Sequence, residues 1–342
     1  GADSILFWCW RDEVFGSEAG GFGITGADGL AEERITAMRS TAVVLDRYRD
    51  LLSVYEPVDA QVGLLFSPQT YYLCWAQEGH ANRAADALLG YARALVRNAI
   101  PYRVVEEGHL EQLEGLKILF MPRTLVTDEA TEQALCRFVR SGGTLVCESE
   151  CGAFNTAGLY RYPQERFLAQ LCGARELGRR PLAGDTLSTD LDDETVELGV
   201  TQWLTPYELD HADALAVHEM GPLVALTEVG EGQVLLCGSY LGEAYRRQYR
   251  PGFERFLDWA ARNAGWLPDI EVVEPRRTEN RFVYVKYGIS GIYKLVFVFF
   301  PEDCDQVTLH FCEDFFETQQ VADLITTETI ELCAAGDRRE CT

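Results

Sequence analysis

Gln61-Val-Gly-Leu-Leu-Phe66, Tyr102-Arg-Val-Val105, Leu116-Lys-Ile-Leu-Phe-Met121 and Thr144-Leu-Val-Cys147 are short apolar runs separated by stretches of helical pattern. Runs of this length without polar alternation suit strands covered on both faces. A helix is predicted from Asn82 to Asn98, with Ala85, Leu88, Leu89, Ala92 and Val96 lining one side. A second is predicted from Asp128 to Ser141, with Thr127 as its N-cap and Gly142-Gly143 as its stop. Successive β-α units with short connections predict an α/β fold with a doubly wound, mainly parallel, flavodoxin-like sheet.

Towards the C-terminus the pattern weakens between Phe154 and Val217, where the acidic stretch Asp190-Leu-Asp-Asp-Glu194 reads as part of a peripheral, loop-rich extension. It returns at Leu223-Val-Ala-Leu-Thr227, Gly230-Glu-Gly232 and Gln233-Val-Leu-Leu-Cys237, a hairpin signal, followed by a helix from about Gly252 to Asn263. Beyond Pro268 the strands Arg281–Tyr287, Ile292–Phe300, Gln306–Phe311 and Thr329–Cys333 are separated by turn residues, which predicts a small antiparallel β domain.

Towards the N-terminus, Tyr55-Glu-Pro-Val58 reads as a linker. Before it lies a helix from about Leu30 to Ser53, with Ile35, Met38, Ala42, Leu45 and Leu52 on one face. Ser4-Ile-Leu-Phe-Trp-Cys-Trp10 reads as a strand buried on both sides, and a glycine-rich loop joins it to that helix. Such a strand belongs inside a sheet, so the expectation is a piece of a longer protein whose opening β-loop-α unit closes a barrel begun elsewhere. The expected domains are 1–56, 57–267 and 268–342.

The 342 residues carry 54 acidic and 30 basic side chains, a net charge of -24. That balance excludes nucleic acid and anionic membranes as expected partners, since both need a basic face. The run Leu295-Val-Phe-Val-Phe-Phe300 is far shorter than the roughly 20 residues of a membrane-spanning helix. Eleven scattered cysteines without a C-x-x-C pair point to a reducing compartment, and a cytoplasmic location is expected. The five histidines show no short-range ligand pairing other than His211 and His218, and the glycines from Gly16 to Gly29 lie in the wrong context for a dinucleotide. Neither a metal nor a cofactor is expected.

Three quoted segments carry a resemblance: Phe7-Trp-Cys-Trp-Arg11, Gly16-Ser-Glu18 and Gly23-Ile-Thr-Gly-Ala-Asp-Gly29. With the domain order, they resemble the C-terminal part of a glycoside hydrolase family 42 β-galactosidase. The resemblance implies the last strand, loop and helix of a (β/α)8 barrel, then a class I glutamine-amidotransferase-like domain that mediates trimerisation, then a C-terminal β domain. It implies a retaining glycosidase acting on terminal β-galactosides, assembled as a homotrimer. The two catalytic glutamates of that family lie on earlier barrel strands, so no catalytic residue is expected in this chain. Trp8 aligns with an aromatic that stacks on the sugar, and its alternative is a barrel-filling ring. Glu18 aligns with a glutamate that hydrogen-bonds sugar hydroxyls, and its alternative is an exposed loop carboxylate. Gly21 stands where many members have a histidine, which bears on galactose specificity.

Two other readings compete. Cys151, with His211 or His218 and Glu219, raises a cysteine-dependent amidotransferase-like site, but Glu150 beside Cys151 opposes thiolate formation and the His-x-Glu spacing is missing. The other is an oligomerisation or interaction module with no catalysis of its own.

Overall fold

The computed structural model describes residues 6–341, apart from residues 18, 20, 27, 183, 193, 202, 276–277, 301–303, 305 and 336–337. The chain divides into two compact units. The larger runs from Asp59 to Val285 and adds Val298–Phe315 and the C-terminal strands.

Its elements are β1 (Val62–Phe66), α1 (Pro68–Glu78), α2 (Asn82–Arg97), β2 (Tyr102–Glu106), β3 (Ile118–Met121), α3 (Glu129–Arg140), β4 (Thr144–Cys147), β5 (Thr186–Leu191), β6 (Glu194–Gly199), β7 (Asp213–His218), β8 (Gly221–Val229), β9 (Gly232–Cys237), α4 (Leu241–Arg247) and α5 (Pro251–Asn263). Seven strands form one mixed sheet in the order β7-β8-β9-β4-β3-β1-β2. The five from β9 to β2 are parallel, and β8 and β7 add antiparallel at one edge. The period-2 pleat sorts the apolar runs between two cores. Val62, Leu64, Ile118, Phe120, Val146, Leu235 and Cys237 face the core shared with α2, α4 and α5. Leu65, Leu119, Met121, Leu145, Cys147, Val234 and Leu236 face the core shared with α3.

Several expectations are corrected in this unit. The buried stripe of α2 is Ala84, Ala87, Gly90, Tyr91, Ala94 and Leu95. It lies about one position away from the predicted face, and Leu89 is half exposed. Small residues win the buried positions because α4 approaches closely there: a Cβ on Gly90 would lie 2.0 Å from the Gly242 carbonyl oxygen. The N-cap of α3 is Asp128, whose carboxylate accepts from Thr131 N at 2.7 Å. Thr127 is fully buried and its hydroxyl donates to Glu132 at 2.6 Å. The acidic stretch is the turn of the β5–β6 hairpin, whose Leu191, Val196 and Leu198 enter the α5 side of the core. Among the described residues three helices were not foreseen: α1, capped by Ser67 with Pro68 at its first position and left-handed Gly79 at its end, α4, and the short helix Phe167–Cys172.

A separate four-stranded antiparallel sheet in the larger unit is ordered Ile270–Glu274, Thr308–Cys312, Arg338–Cys341, Cys333–Ala335.

The smaller unit gathers the residues up to Val58, Lys286–Phe297 and Phe316–Leu332. Tyr55–Pro57, read as a linker, is an edge strand that pairs antiparallel with Gly288–Ser290. Pro57 fits there because an edge strand does not need its missing N–H. The helix Glu32–Arg47 forms, but no residue in it is buried. Of the expected opening strand, the described residues from Leu6 to Trp10 are irregular and largely exposed. Among the described residues their backbone carbonyls accept from a short partner, Ile24 N to Cys9 O and Thr25 N to Trp10 O, both at 2.8 Å. A lone apolar run without flanking strands does not make a stable sheet.

Candidate functional site

The parallel order puts the point where chain order reverses between β1 and β3, and at the C-terminal ends of such strands open α/β sheets form their crevice. In open α/β sheets ligands bind at that position. Here the ends of β3 and β4 carry Arg123 and Glu148, and the segment leaving β9 carries Tyr240 and Glu243.

Arg123 is buried, with φ +40°. Its guanidinium lies 4.2 Å over the Tyr240 ring and donates to Glu243 Oε2 at 3.2 Å. Glu243 is also bound by Arg83 Nε at 2.9 Å and by Arg247 at 2.5 Å. Glu148 has no cationic partner of this kind. Its two oxygens accept the backbone N–H groups of Arg123 and Gly242, both at 2.8 Å, tying the loop after β3 to the start of α4. Complete burial pushes its carboxyl up to about 7, against the lowering effect of those two hydrogen bonds, and nearby Glu243 adds to the rise.

Glu150 follows with φ +59°, the left-handed region that a side chain rarely adopts. It is fixed there by Arg179, which forks onto both oxygens at 2.8 and 2.9 Å, and by the Tyr240 hydroxyl. Burial raises its pKa, but Arg179 and Tyr240 outweigh that and hold it below the usual carboxylate value. Its backbone N–H donates to Glu176, which in turn pairs with buried Arg166.

The crevice is therefore occupied by the protein's own ion pairs. Such a network fixes the loops that leave β3, β4 and β9 and engages these charged groups with one another. Cys151 is buried directly after Glu150, whereas His211 is exposed and the His218 ring accepts from Met220 N in its own turn at 3.3 Å. The structure thus does not join cysteine and histidine into a nucleophile-base pair. Among the described residues no group of three His, Cys, Asp or Glu side chains is placed to hold a metal, and no helix is long and apolar enough to cross a membrane.

In the smaller unit Trp8 is 71% exposed on the irregular opening segment. Glu18 lies outside the described residues. Gly21 has φ +77°, a conformation that favours glycine over the family's histidine. Asp12 Oδ1 accepts from Gly23 N at 2.6 Å, and Arg34 donates to the Gly23 carbonyl. The polar network of the larger unit was missed because its members are far apart in sequence. Its available signal was a charged residue directly behind an apolar strand, as in Met121-Pro-Arg123 and Cys147-Glu148.

A family model described as the β-galactosidase trimerisation domain matches residues 60–259, the central sheet and this crevice. The chain belongs to that family. The trimerisation domain here also has two relatives at the level of whole sequences. β-galactosidase GalA of Bacillus licheniformis is 22% identical over 297 residues, covering 83% of this chain and 43% of the relative. β-galactosidase BgaA of Clostridium cellulovorans is 20% identical over 264 residues, covering 73% and 38%. Among solved structures, a catalytic mutant of Gan42B, a glycoside hydrolase family 42 β-galactosidase from G. stearothermophilus, superposes with a TM-score of 0.75 at 22% identity, over 100% of this chain and 48% of that one. The β-galactosidase from Bacillus circulans sp. alkalophilus gives 0.77 at 17% identity, over 100% and 50%. The chain therefore matches the trimerisation and C-terminal region of these enzymes and spans half of their length or less.

Proposed function

We propose that this chain is the oligomerisation and C-terminal β portion of a retaining β-galactosidase that acts on terminal β-galactosides as a homotrimer. The observation that carries this reading is the trimerisation-domain match over residues 60–259, joined to a likeness that extends over the full chain and about half of each enzyme. In this reading residues 1–56 are the last β-α unit of a (β/α)8 barrel, 57–267 the amidotransferase-like, flavodoxin-like trimerisation domain and 268–342 the C-terminal β domain. Trp8 stacks on the sugar and Glu18 binds its hydroxyls once the rest of the barrel surrounds them. A retaining mechanism needs two carboxyl groups about 5–5.5 Å apart, and in this reading both come from barrel strands outside the 342 residues. Eleven free cysteines agree with a cytoplasmic setting.

The filled crevice favours a second reading at the level of this chain alone, an assembly module with no catalysis of its own. Sedimentation and a nitrophenyl-galactoside assay test both. The expected results are a particle of three times 38.4 kDa and no turnover. A monomer at micromolar concentration overturns the assembly reading, and turnover by the isolated chain overturns the placement of the catalytic carboxylates.

A further inference from the structure

Glu148 is 1% exposed, and among the described residues no arginine, lysine or histidine pairs with its carboxylate. Its two oxygens join separate segments of the chain. One accepts from Arg123 N in the loop after β3, the other from Gly242 N in the first turn of α4. The residue that opens α4, Tyr240, makes no side-chain capping bond. The first N–H groups of a helix have no partner inside it, so the carboxylate at the end of β4 supplies the cap that α4 lacks in its own sequence.

The groups around this carboxyl come from four further places. Tyr91 on α2 is fully buried and faces it, and its hydroxyl has no other hydrogen-bond partner among the described residues. Cys147 on β4 and Cys237 on β9 are buried nearby, and burial pushes both thiols and the Tyr91 phenol well above their ordinary values, so all three stay neutral around pH 7. Glu243, beside Gly242, carries a like charge, but Arg83, Arg123 and Arg247 pair with it and not with Glu148. A buried carboxylate held by neutral donors is costly, because they restore only part of its lost hydration and no cation offsets the rest. Protonated, the carboxyl keeps one acceptor oxygen and gains an O–H, for which the Tyr91 oxygen is the available acceptor.

We infer that Glu148 is a proton-operated latch between the loop after β3 and the start of α4: with the proton on, the joint is dry and closed, and with the proton off it opens locally so that water reaches the carboxylate. The sheet stays paired in this step, and what moves is the loop at Arg123 or the first turn of α4. Once solvated, the carboxyl regains its ordinary affinity for a proton. The closed form, with its value near 7 against the usual 4.5, therefore gives way as pH rises, and the equilibrium constant for opening grows about tenfold from pH 6 to pH 8. The same movement loosens Arg123 and Glu243, whose contact helps to fill the crevice. The filled crevice is then the closed state of a joint that mildly alkaline pH opens, whether or not the chain assembles.

The test is amide hydrogen exchange of the full chain, read at Arg123 and Gly242 and divided by the intrinsic rate at each pH. Protection at these two amides is expected to fall about tenfold from pH 6 to pH 8. Low urea separates local from global opening: exchange at Arg123 and Gly242 should be insensitive to it, whereas Leu119 and Val146, paired in the central strands, should follow it. Glu148→Gln cannot titrate, so protection at both sites should be the same at the two pH values. The wild type gives a readout that needs no variant: the carboxyl carbon resonance of Glu148 should titrate near neutrality, with the Arg123 and Gly242 N–H resonances moving alongside it. A midpoint in the ordinary carboxylate range overturns the latch. So does protection that is flat between pH 6 and pH 8, or exchange at the two amides that tracks Leu119 and Val146 in urea.

Discussion

Glu148 and Glu150 leave the end of β4 two residues apart, yet the first carboxylate accepts the backbone N–H groups of Arg123 and Gly242 while the second is gripped by an arginine fork. The first consequence is a pH dependence from Glu148. Its folded value, about 7, lies above the usual 4.5, so the stability it contributes is present below pH 4.5 and is lost as pH rises through 7. The full loss is on the order of 3 kcal/mol. Glu148→Gln cannot titrate, so its urea midpoint should fall less between mildly acidic and mildly alkaline buffer than that of the wild type. Equal falls in the two proteins would show that Glu148 does not titrate in this window.

Glu150 has the opposite sign. Its folded pKa is held below the usual value, so its contribution is present above pH 4.5 and disappears as pH falls through the lower folded value. Arg179 is about half exposed, which limits the pair to about 1 kcal/mol through solvent screening. Arg179→Ala should therefore be less stable than wild type near neutrality, and the gap should close under acid conditions where Glu150 is protonated. A gap that is independent of pH would assign the arginine's effect to packing.

Arg97 at the end of α2 and Glu254 at the start of α5 form a buried pair, with side chains 0% and 3% exposed. Arg97 also donates to the Thr278 carbonyl at 2.6 Å and lies over the rings of Tyr249 and Phe282. Glu254 accepts the Tyr245 hydroxyl at 2.5 Å. Removing one partner leaves the other charge buried, at a cost of about 3–5 kcal/mol. Glu254→Leu should show that loss in chemical denaturation, and Arg97→Met/Glu254→Leu should lose less than the two single changes added together. Additive losses would mean that the pair is not coupled.

The strands were legible because both faces of the parallel sheet are covered, so that Val62, Leu64 and Leu65 all had to be apolar although they serve two different cores. The filled crevice was not legible. Arg123, Glu148 and Glu243 meet only after the sheet assembles, and each alone reads as a surface charge. The inward face of α2 was misread for a related reason. Hydropathy points to Leu88 and Ala92, which do pack at the margin of the core, and to Leu89, which is half exposed, whereas the contact with α4 selects for absence of bulk. The opening segment was read from its apolar residues, but a strand is stabilised by neighbours, and among the described residues the backbone of Phe7–Trp10 is hydrogen-bonded by Ile24 and Thr25.

That contact between α2 and α4 gives the sharpest test of packing. A Cβ on Gly90 would sit 2.0 Å from Gly242 O and 2.7 Å from its carbonyl carbon, and a Cβ on Gly242 would sit 2.4 Å from Ala87 O. These obstacles are backbone atoms, so a rotamer change cannot relieve them. Gly90→Ala gains about 1 kcal/mol of helix propensity, but overpacking against a fixed backbone costs about 1–3 kcal/mol or more. The clash wins further because pushing Gly242 away also pulls its N–H from Glu148. The expected outcome is a Tm several degrees below wild type for Gly90→Ala. Gly108→Ala, with nothing within 4 Å of the new methyl, should melt like the wild type. A Gly90→Ala protein that melts at or above the wild-type temperature would mean that the two helices can separate at little cost, and the small-residue stripe of α2 would need another explanation.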